Sequence, residues 1–179
     1  MFAKMINLTL YQLGWLSCVL GAGQGFPRSG ALVALVLVGV HLLLATERVA
    51  ELRLMVAAGL LGALVDGAQQ ALGVVTFKVE PGWPLWLPAW ILVVWIQFAT
   101  LFRFALHWLA GRYWLAAFFG LLGGPFAYWS GVQLGAAQFG DNLLFSVLSL
   151  ALVWALVVPL LVWLSSRFKP RTGRYRGLA

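Results

Sequence analysis

Apolar residues run through this chain in six long stretches, broken by short segments of Gly, Pro and charge. The stretches cover residues 5–21, 30–46, 52–77, 85–106, 113–133 and 143–165. About 20 apolar residues in a helix cross the hydrocarbon core of a bilayer, so the pattern predicts six membrane-crossing helices. The connections carry turn chemistry: Gly23, Gly25 and Pro27 in the first, and Pro81, Gly82, Pro84 and Pro88 in the third. Asp141-Asn142 can cap the sixth helix. Short connections make successive helices antiparallel neighbours. The expected fold is therefore all-α: a six-helix transmembrane bundle over residues 1–166, built from three successive hairpins, with a basic tail at 167–179.

Composition sharpens this picture. The chain of 179 residues is 63% hydrophobic and 9% charged, against about 25% charged in a soluble domain. That balance excludes a soluble enzyme, a nucleic-acid-binding module and a disordered tail. The net charge of +7 reads as topology information and not as a nucleic-acid surface. With six spans, Lys4, Arg48, Arg53, Arg103, Arg112, Arg167, Lys169, Arg171, Arg174 and Arg176 fall on one side, and only Arg28 and Lys78 on the other. Basic residues collect on the cytoplasmic side, so both termini are expected there. The single Cys18 excludes an internal disulfide, and two His with one Cys build no Cys-rich metal site.

The odd-numbered segments end alike. Leu20-Gly21-Ala22-Gly23-Gln24-Gly25-Phe26, Leu72-Gly73-Val74-Val75-Thr76-Phe77 and Leu134-Gly135-Ala136-Ala137-Gln138-Phe139 align. Gly59-Leu60-Leu61-Gly62 also matches Gly120-Leu121-Leu122-Gly123. Parallel repeats of this kind occur in transporters, and chance matches among frequent Leu, Gly and Ala are the alternative.

An ionisable residue inside a membrane costs roughly 2.5–3.5 kcal/mol on insertion scales and marks a functional site by default. Asp66 is the acid well inside a predicted span. At about 100° per residue, Gly59, Gly62, Asp66, Gln69, Gln70 and Gly73 share one arc of the third helix. The fifth helix carries a matching stripe of Gly120, Gly124, Tyr128, Gly131, Gly135 and Gln138, with Pro125 expected to kink it. Small residues let helices approach closely. The two stripes are therefore expected to pack on each other, with Gly59, Gly62, Gly124, Pro125, Gly131 and Gly135 at the contact. Asp66, Gln70 and Tyr128, with Gln69 and Gln138 nearby, would meet in an outer-leaflet polar pocket. The alternative is a hydrogen-bonded knot that only holds the helices together.

A second polar layer lies toward the basic side. His41 and Glu51 are the weak candidates for acid–base chemistry there. The competing reading makes Glu47, Arg48, Glu51 and Arg53 a solvated turn. Gln97, Thr100, Phe104 and His107 are expected on one face of the fourth helix, and Asn7 and Gln12 in helix–helix contacts. No phosphate loop, dinucleotide fingerprint, His-Glu-x-x-His or Gly-x-Ser-x-Gly motif occurs, so no cofactor is called for.

Trp15 to Cys18, His41-Leu42, Glu51, Leu61-Gly62 with Asp66, Trp90 with Trp95, Phe98-Ala99-x-Leu101 and, above all, Gly124-Pro125-Phe126-Ala127-Tyr128-x-x-Gly131-x-x-Leu134-Gly135-Ala136 carry a resemblance. Together they resemble the uncharacterised bacterial family catalogued as domain of unknown function 2878. The Phe102-Arg103-Phe104 segment departs from that family's pattern. The resemblance implies a small multi-pass inner-membrane protein of a Gram-negative bacterium. Relatives in this family are often encoded near enzymes that modify membrane lipids. It supplies no catalytic residues. The favoured expectation is thus a protein that handles membrane lipid, as partner to a lipid-modifying enzyme. A small-solute or proton-coupled permease, a lipid-headgroup enzyme and a non-catalytic scaffold are the alternatives. Oligomeric state is not set by the sequence.

Overall fold

The structure, a computed structural model, describes residues 2–79 and 82–168. Pro81 and the tail residues Lys169, Arg171, Arg174 and Arg176 lie outside the described residues. The described residues form six α-helices: α1 (Phe2–Gly23), α2 (Pro27–Leu44), α3 (Arg48–Ala71), α4 (Ala89–Ala99), α5 (Tyr113–Gln133) and α6 (Leu143–Arg167). Two three-residue strands, β1 (Val75–Phe77) and β2 (Ala137–Phe139), follow α3 and α5. Four helices, α1, α2, α5 and α6, are long and apolar enough to cross a membrane. The 24 residues of α3 include Arg48, Glu51, Arg53 and Asp66. At 1.5 Å per residue, the 11 residues of α4 reach about half of a bilayer core of about 30 Å.

The broadest packing is within sequential pairs: α1 on α2, α3 on α4 and α5 on α6. Glycines permit these approaches. A Cβ on Gly30 would overlap the Ser17 carbonyl of α1, and one on Gly120 the Trp154 carbonyl of α6. Short α4 also packs against α1 and α2, and Trp90, Ile91, Val93, Trp95, Gln97 and Ala99 along it are buried.

Two of the six predicted spans change shape. The third helix stops at Ala71 instead of running to Phe77. Gly73 takes φ +68°, and the amides of Gly73 and Val74 bond back to the Gln70 and Gln69 carbonyls. This is a Schellman cap, which glycine makes cheaply because the left-handed region does not penalise it. Gly135 (φ +76°) ends α5 the same way, with Ala136 bonding back to Gly131. In α1 the left-handed glycine is Gly25, with Phe26 bonding to Gly21. The first repeat is therefore aligned by Gly25 and not by Gly21.

After their caps, β1 and β2 pair antiparallel, with Val75 opposite Phe139, Thr76 opposite Gln138 and Phe77 opposite Ala137. Thr76 and Gln138 are 62 residues apart, as are Gly73 and Gly135, Asp66 and Tyr128, and Gly62 and Gly124. The repeat is thus most regular between α3–β1 and α5–β2, which meet about a local pseudo-twofold through the strand pair.

The fourth span is the second change. Its helix occupies Ala89–Ala99 where 85–106 was expected, and the chain continues in tight turns to a single 3₁₀ turn at His107–Leu109. The amides of Thr100, Leu101 and Phe102 bond three residues back, to Gln97, Phe98 and Ala99. A side chain of α1 takes up groups freed by this break. Asn7 Nδ2 donates to the Thr100 carbonyl (3.2 Å), and Asn7 Oδ1 accepts from the Ala105 amide (3.3 Å). Leu101, Phe102, Phe104 and Leu106 keep this stretch as apolar as a helix, so hydropathy does not register the break.

Candidate functional site: a lateral groove between two buried polar clusters

The first cluster lies on the pseudo-twofold, near the strand pair. Asp66 is 1% exposed. Its Oδ1 accepts from the Tyr128 hydroxyl and its Oδ2 from Trp95 Nε1 (2.7 Å). Trp95 stacks on Trp154 of α6, with ring centroids 4.9 Å apart and planes at 22°. Gly62 and Gly124 flank this stack: a Cβ on Gly62 would overlap the Trp95 indole, and one on Gly124 the Trp154 indole. Stripe-to-stripe packing of α3 on α5 is therefore corrected. The small-residue stripes face tryptophans of α4 and α6, and two indoles fill the space between them. Asp66 and Tyr128 meet through their long reach, at the edge of that stack.

The other expected pocket residues lie elsewhere. Gln70 donates to the Trp86 carbonyl (3.0 Å), and Gln69 accepts from Ser149 (3.0 Å). Gln138 lies on the exposed side of β2, opposite Thr76. Gly59 packs against Ile96 of α4. Gly135 is the left-handed cap residue, and α5 stays helical through Pro125.

The second cluster lies at the opposite end, where α2 ends and α3 begins. Glu51 is 2% exposed, so the solvated-turn reading fails for it. Its Oε1 pairs with Arg103 Nε (3.1 Å) and its Oε2 with His41 Nε2 (3.3 Å). Asn7 Nδ2 lies 3.3 Å from His41 Nδ1. The amide orientation is fixed by the backbone, because Ala105 N–H can only donate and the Thr100 carbonyl can only accept. Nδ2 therefore donates to His41 Nδ1, and the ring proton sits on Nε2, facing Glu51. Arg103, counted from sequence as a topology charge, is instead the buried partner of an acid. This cluster joins α1, α2, α3 and the turns after α4.

Between these clusters runs a cavity of about 450 Å³. This lies within the roughly 300–1,000 Å³ range of ligand pockets. One wall is the face of α1 bearing Leu8, Tyr11, Gln12, Trp15 and Val19. The other is α5, from Phe119 through Gly123, Ala127 and Tyr128 to Gly131. Trp90, Val94, Trp95 and Phe98 of α4 form the floor, with Trp154 and Val158 of α6 beside them. Buried Phe77 and Ala137 close the strand end, and buried Leu101 and Leu106 the other. The lips are exposed: Leu8 is 48% and Phe126 65% accessible. The space is thus a groove shut at its ends and open sideways.

Asp66 and Tyr128 are among the residues lining the groove, while His41 and Glu51 lie outside it. Sequence reasoning missed the α1 wall. Its signal was present, since Leu8, Tyr11, Gln12, Trp15 and Val19 recur at helical spacing. Among the described residues no group of three or more His, Cys, Asp or Glu is arranged to hold a metal ion.

No curated protein and no solved structure matches this chain. A family does match, over residues 4–160, which takes in both clusters and every wall of the groove. The chain belongs to the family described as protein of unknown function (DUF2878).

Proposed function

We propose that this protein sits in the bacterial inner membrane with both termini cytoplasmic and binds a chain of a membrane lipid in the groove between α1 and α5, in support of an enzyme that modifies membrane lipid. The observation that carries this reading is the shape of the groove. Its closed ends and sideways opening suit a hydrocarbon chain arriving from the bilayer. A solute carrier needs instead a polar path open to one aqueous side. From Leu8 to Val19 the α1 wall rises eleven residues, or about 16 Å at 1.5 Å per residue. That is close to one leaflet's share of a hydrocarbon core of about 30 Å. The orientation is supported by Lys4, Arg48, Arg53, Arg112 and Arg167 at one end of the bundle, against Arg28 and Lys78 at the other.

Gly131 provides the test. It is buried, lines the groove, and a Cβ there would meet nothing within 4 Å. Gly131→Phe is expected to fill the groove while the protein still folds. Lipidomics of a deletion strain, complemented with wild type or with Gly131→Phe, should show altered chain species in the deletion that only the wild type restores. An unchanged lipid profile in the deletion, or full rescue by Gly131→Phe, overturns the reading.

A further inference from the structure

Resting on the lipid-chain reading, we infer that the occupant carries a hydrogen-bonding oxygen part-way along its chain and that Tyr11 and Gln12 of α1 recognise it. Gln12 is the eleventh of the 22 residues of α1, so it stands at the middle of a membrane-spanning helix. It is exposed, on the lip of the groove, and no hydrogen bond reaches its side chain among the described residues. The sequence reading placed it in a helix–helix contact; its side chain makes no hydrogen bond to another helix. The hydroxyl of neighbouring Tyr11, also lining the groove, is likewise without a hydrogen bond.

Several other polar side chains of α1 and α5 are satisfied locally. Ser17 folds its hydroxyl back on the Leu13 carbonyl (2.7 Å), and Ser130 on that of Phe126 (2.9 Å). Asn7, five residues from Gln12, is spent on His41, Thr100 and Ala105. An unpaired amide in hydrocarbon costs several kcal/mol, so a polar pair left open at this depth is matched by what fills the groove. Asp66 and Tyr128 do not fill that role, because they are bonded to each other and Asp66 also to Trp95. The matching chemistry is a long apolar chain with a hydroxyl, ether or carbonyl oxygen near its middle. A hydroxylated fatty acyl chain supplies it.

The groove's own indoles report binding, since Trp15, Trp90, Trp95 and Trp154 line it. The full-length protein in nanodiscs is titrated with 9,10-dibromostearate, which quenches tryptophan. The bound probe is then displaced by stearate or 12-hydroxystearate. The hydroxylated competitor should displace at a three- to tenfold lower concentration than stearate. The combined Tyr11→Phe and Gln12→Leu variant should bring that ratio to about one. Equal potency of the two competitors on the wild type overturns the inference and leaves the lipid reading standing. Quenching that is absent, or that Gly131→Phe does not reduce, overturns the lipid reading itself. Loss of a dimer on Gln12→Leu, seen by cross-linking, also overturns the inference, because Gln12 would then serve a second copy of the chain.

Discussion

The α3–α4 and α5–α6 hairpins place like residues of their first helices 62 apart, yet they use the shared frame for different ends. Each has a glycine facing a tryptophan, Gly62 with Trp95 and Gly124 with Trp154. The first helix of each ends in a left-handed glycine and a short strand. The difference lies in what is placed on the frame. The first hairpin holds Glu51, Asp66, Gln97, Thr100 and Arg103, and its second helix stops after 11 residues. The second has Tyr128 where the first has Asp66, and its second helix runs 25 residues with no charge before Arg167. One indole, Trp95, therefore has an acceptor, while Trp154 Nε1 is buried without one. The comparison teaches that the first hairpin concentrates the buried charge, whereas the second provides a smooth groove wall.

If buried charge is what holds the first hairpin, removing it should cost most. Glu51→Leu strands the Arg103 guanidinium, whose Nη1 already has no partner. Breaking one partner of a buried ion pair costs roughly 3–5 kcal/mol. The expected result is a loss of that size in SDS unfolding of the detergent-solubilised protein, with most of it recovered in Glu51→Leu/Arg103→Leu. A loss under about 1 kcal/mol would return Glu51 to a solvated turn and remove the contrast between the hairpins.

The next effect tests whether the shared frame is real. Gly62→Ala and Gly124→Ala each drive a methyl into an indole of one stack. Overpacking costs about 1–3 kcal/mol, partly offset by a helix-propensity gain of about 1 kcal/mol from removing glycine. Both variants should be destabilised to a similar degree. Since the two indoles are in contact, the double variant should depart from additivity. Additive losses would mean that the two sites are independent and that the pseudo-twofold is a coincidence of spacing.

Smaller still is the hydrogen bond across the axis. Tyr128→Phe removes the Tyr128–Asp66 bond and leaves Trp95 on the carboxyl. Hydrogen bonds between membrane helices average about 0.6 kcal/mol and reach about 1.7, so a loss in that range is expected in the same assay. A loss well above it would assign Asp66 and Tyr128 a role in holding the two hairpins together that the indole stack does not share.

How much of this was legible in the sequence differs by feature. Six apolar segments, their pairing into hairpins and the Asn142 cap, whose Oδ1 accepts the Phe145 amide at 3.0 Å, follow from hydropathy and local chemistry. Asp66 and Tyr128 stood out because polar groups in apolar helices are few. Helix periodicity placed each on the correct face, but it could not say what that face meets. The stripes looked complementary because glycine permits close approach by any neighbour, and Trp95 and Trp154 took the space. The break after Ala99 was hidden for a related reason. Leu101, Phe102, Phe104 and Leu106 are apolar whether helical or not, and Asn7, which bonds the Thr100 carbonyl and the Ala105 amide, lies about 95 positions away. Glu51 read as solvated from its place at a helix start. Only the fold brings His41 and Arg103 onto it.

The smallest expected effect has the opposite sign, and it separates a groove wall from a packed interface on one helix. Gly131 shares α5 with Gly124, but its Cβ direction opens onto the groove and meets no atom within 4 Å. Gly131→Ala therefore gains helix propensity, about 0.5–1 kcal/mol, with no overlap to set against it. It should unfold at higher SDS than wild type while Gly124→Ala unfolds at lower. If glycine is kept at 131 to leave room for a chain, this stabilising variant should also bind dibromostearate more weakly, and Gly131→Phe more weakly again. Unchanged binding across the series, with stability rising as expected, would overturn the lipid reading and leave Gly131 a helix position with open space beside it and no occupant to accommodate.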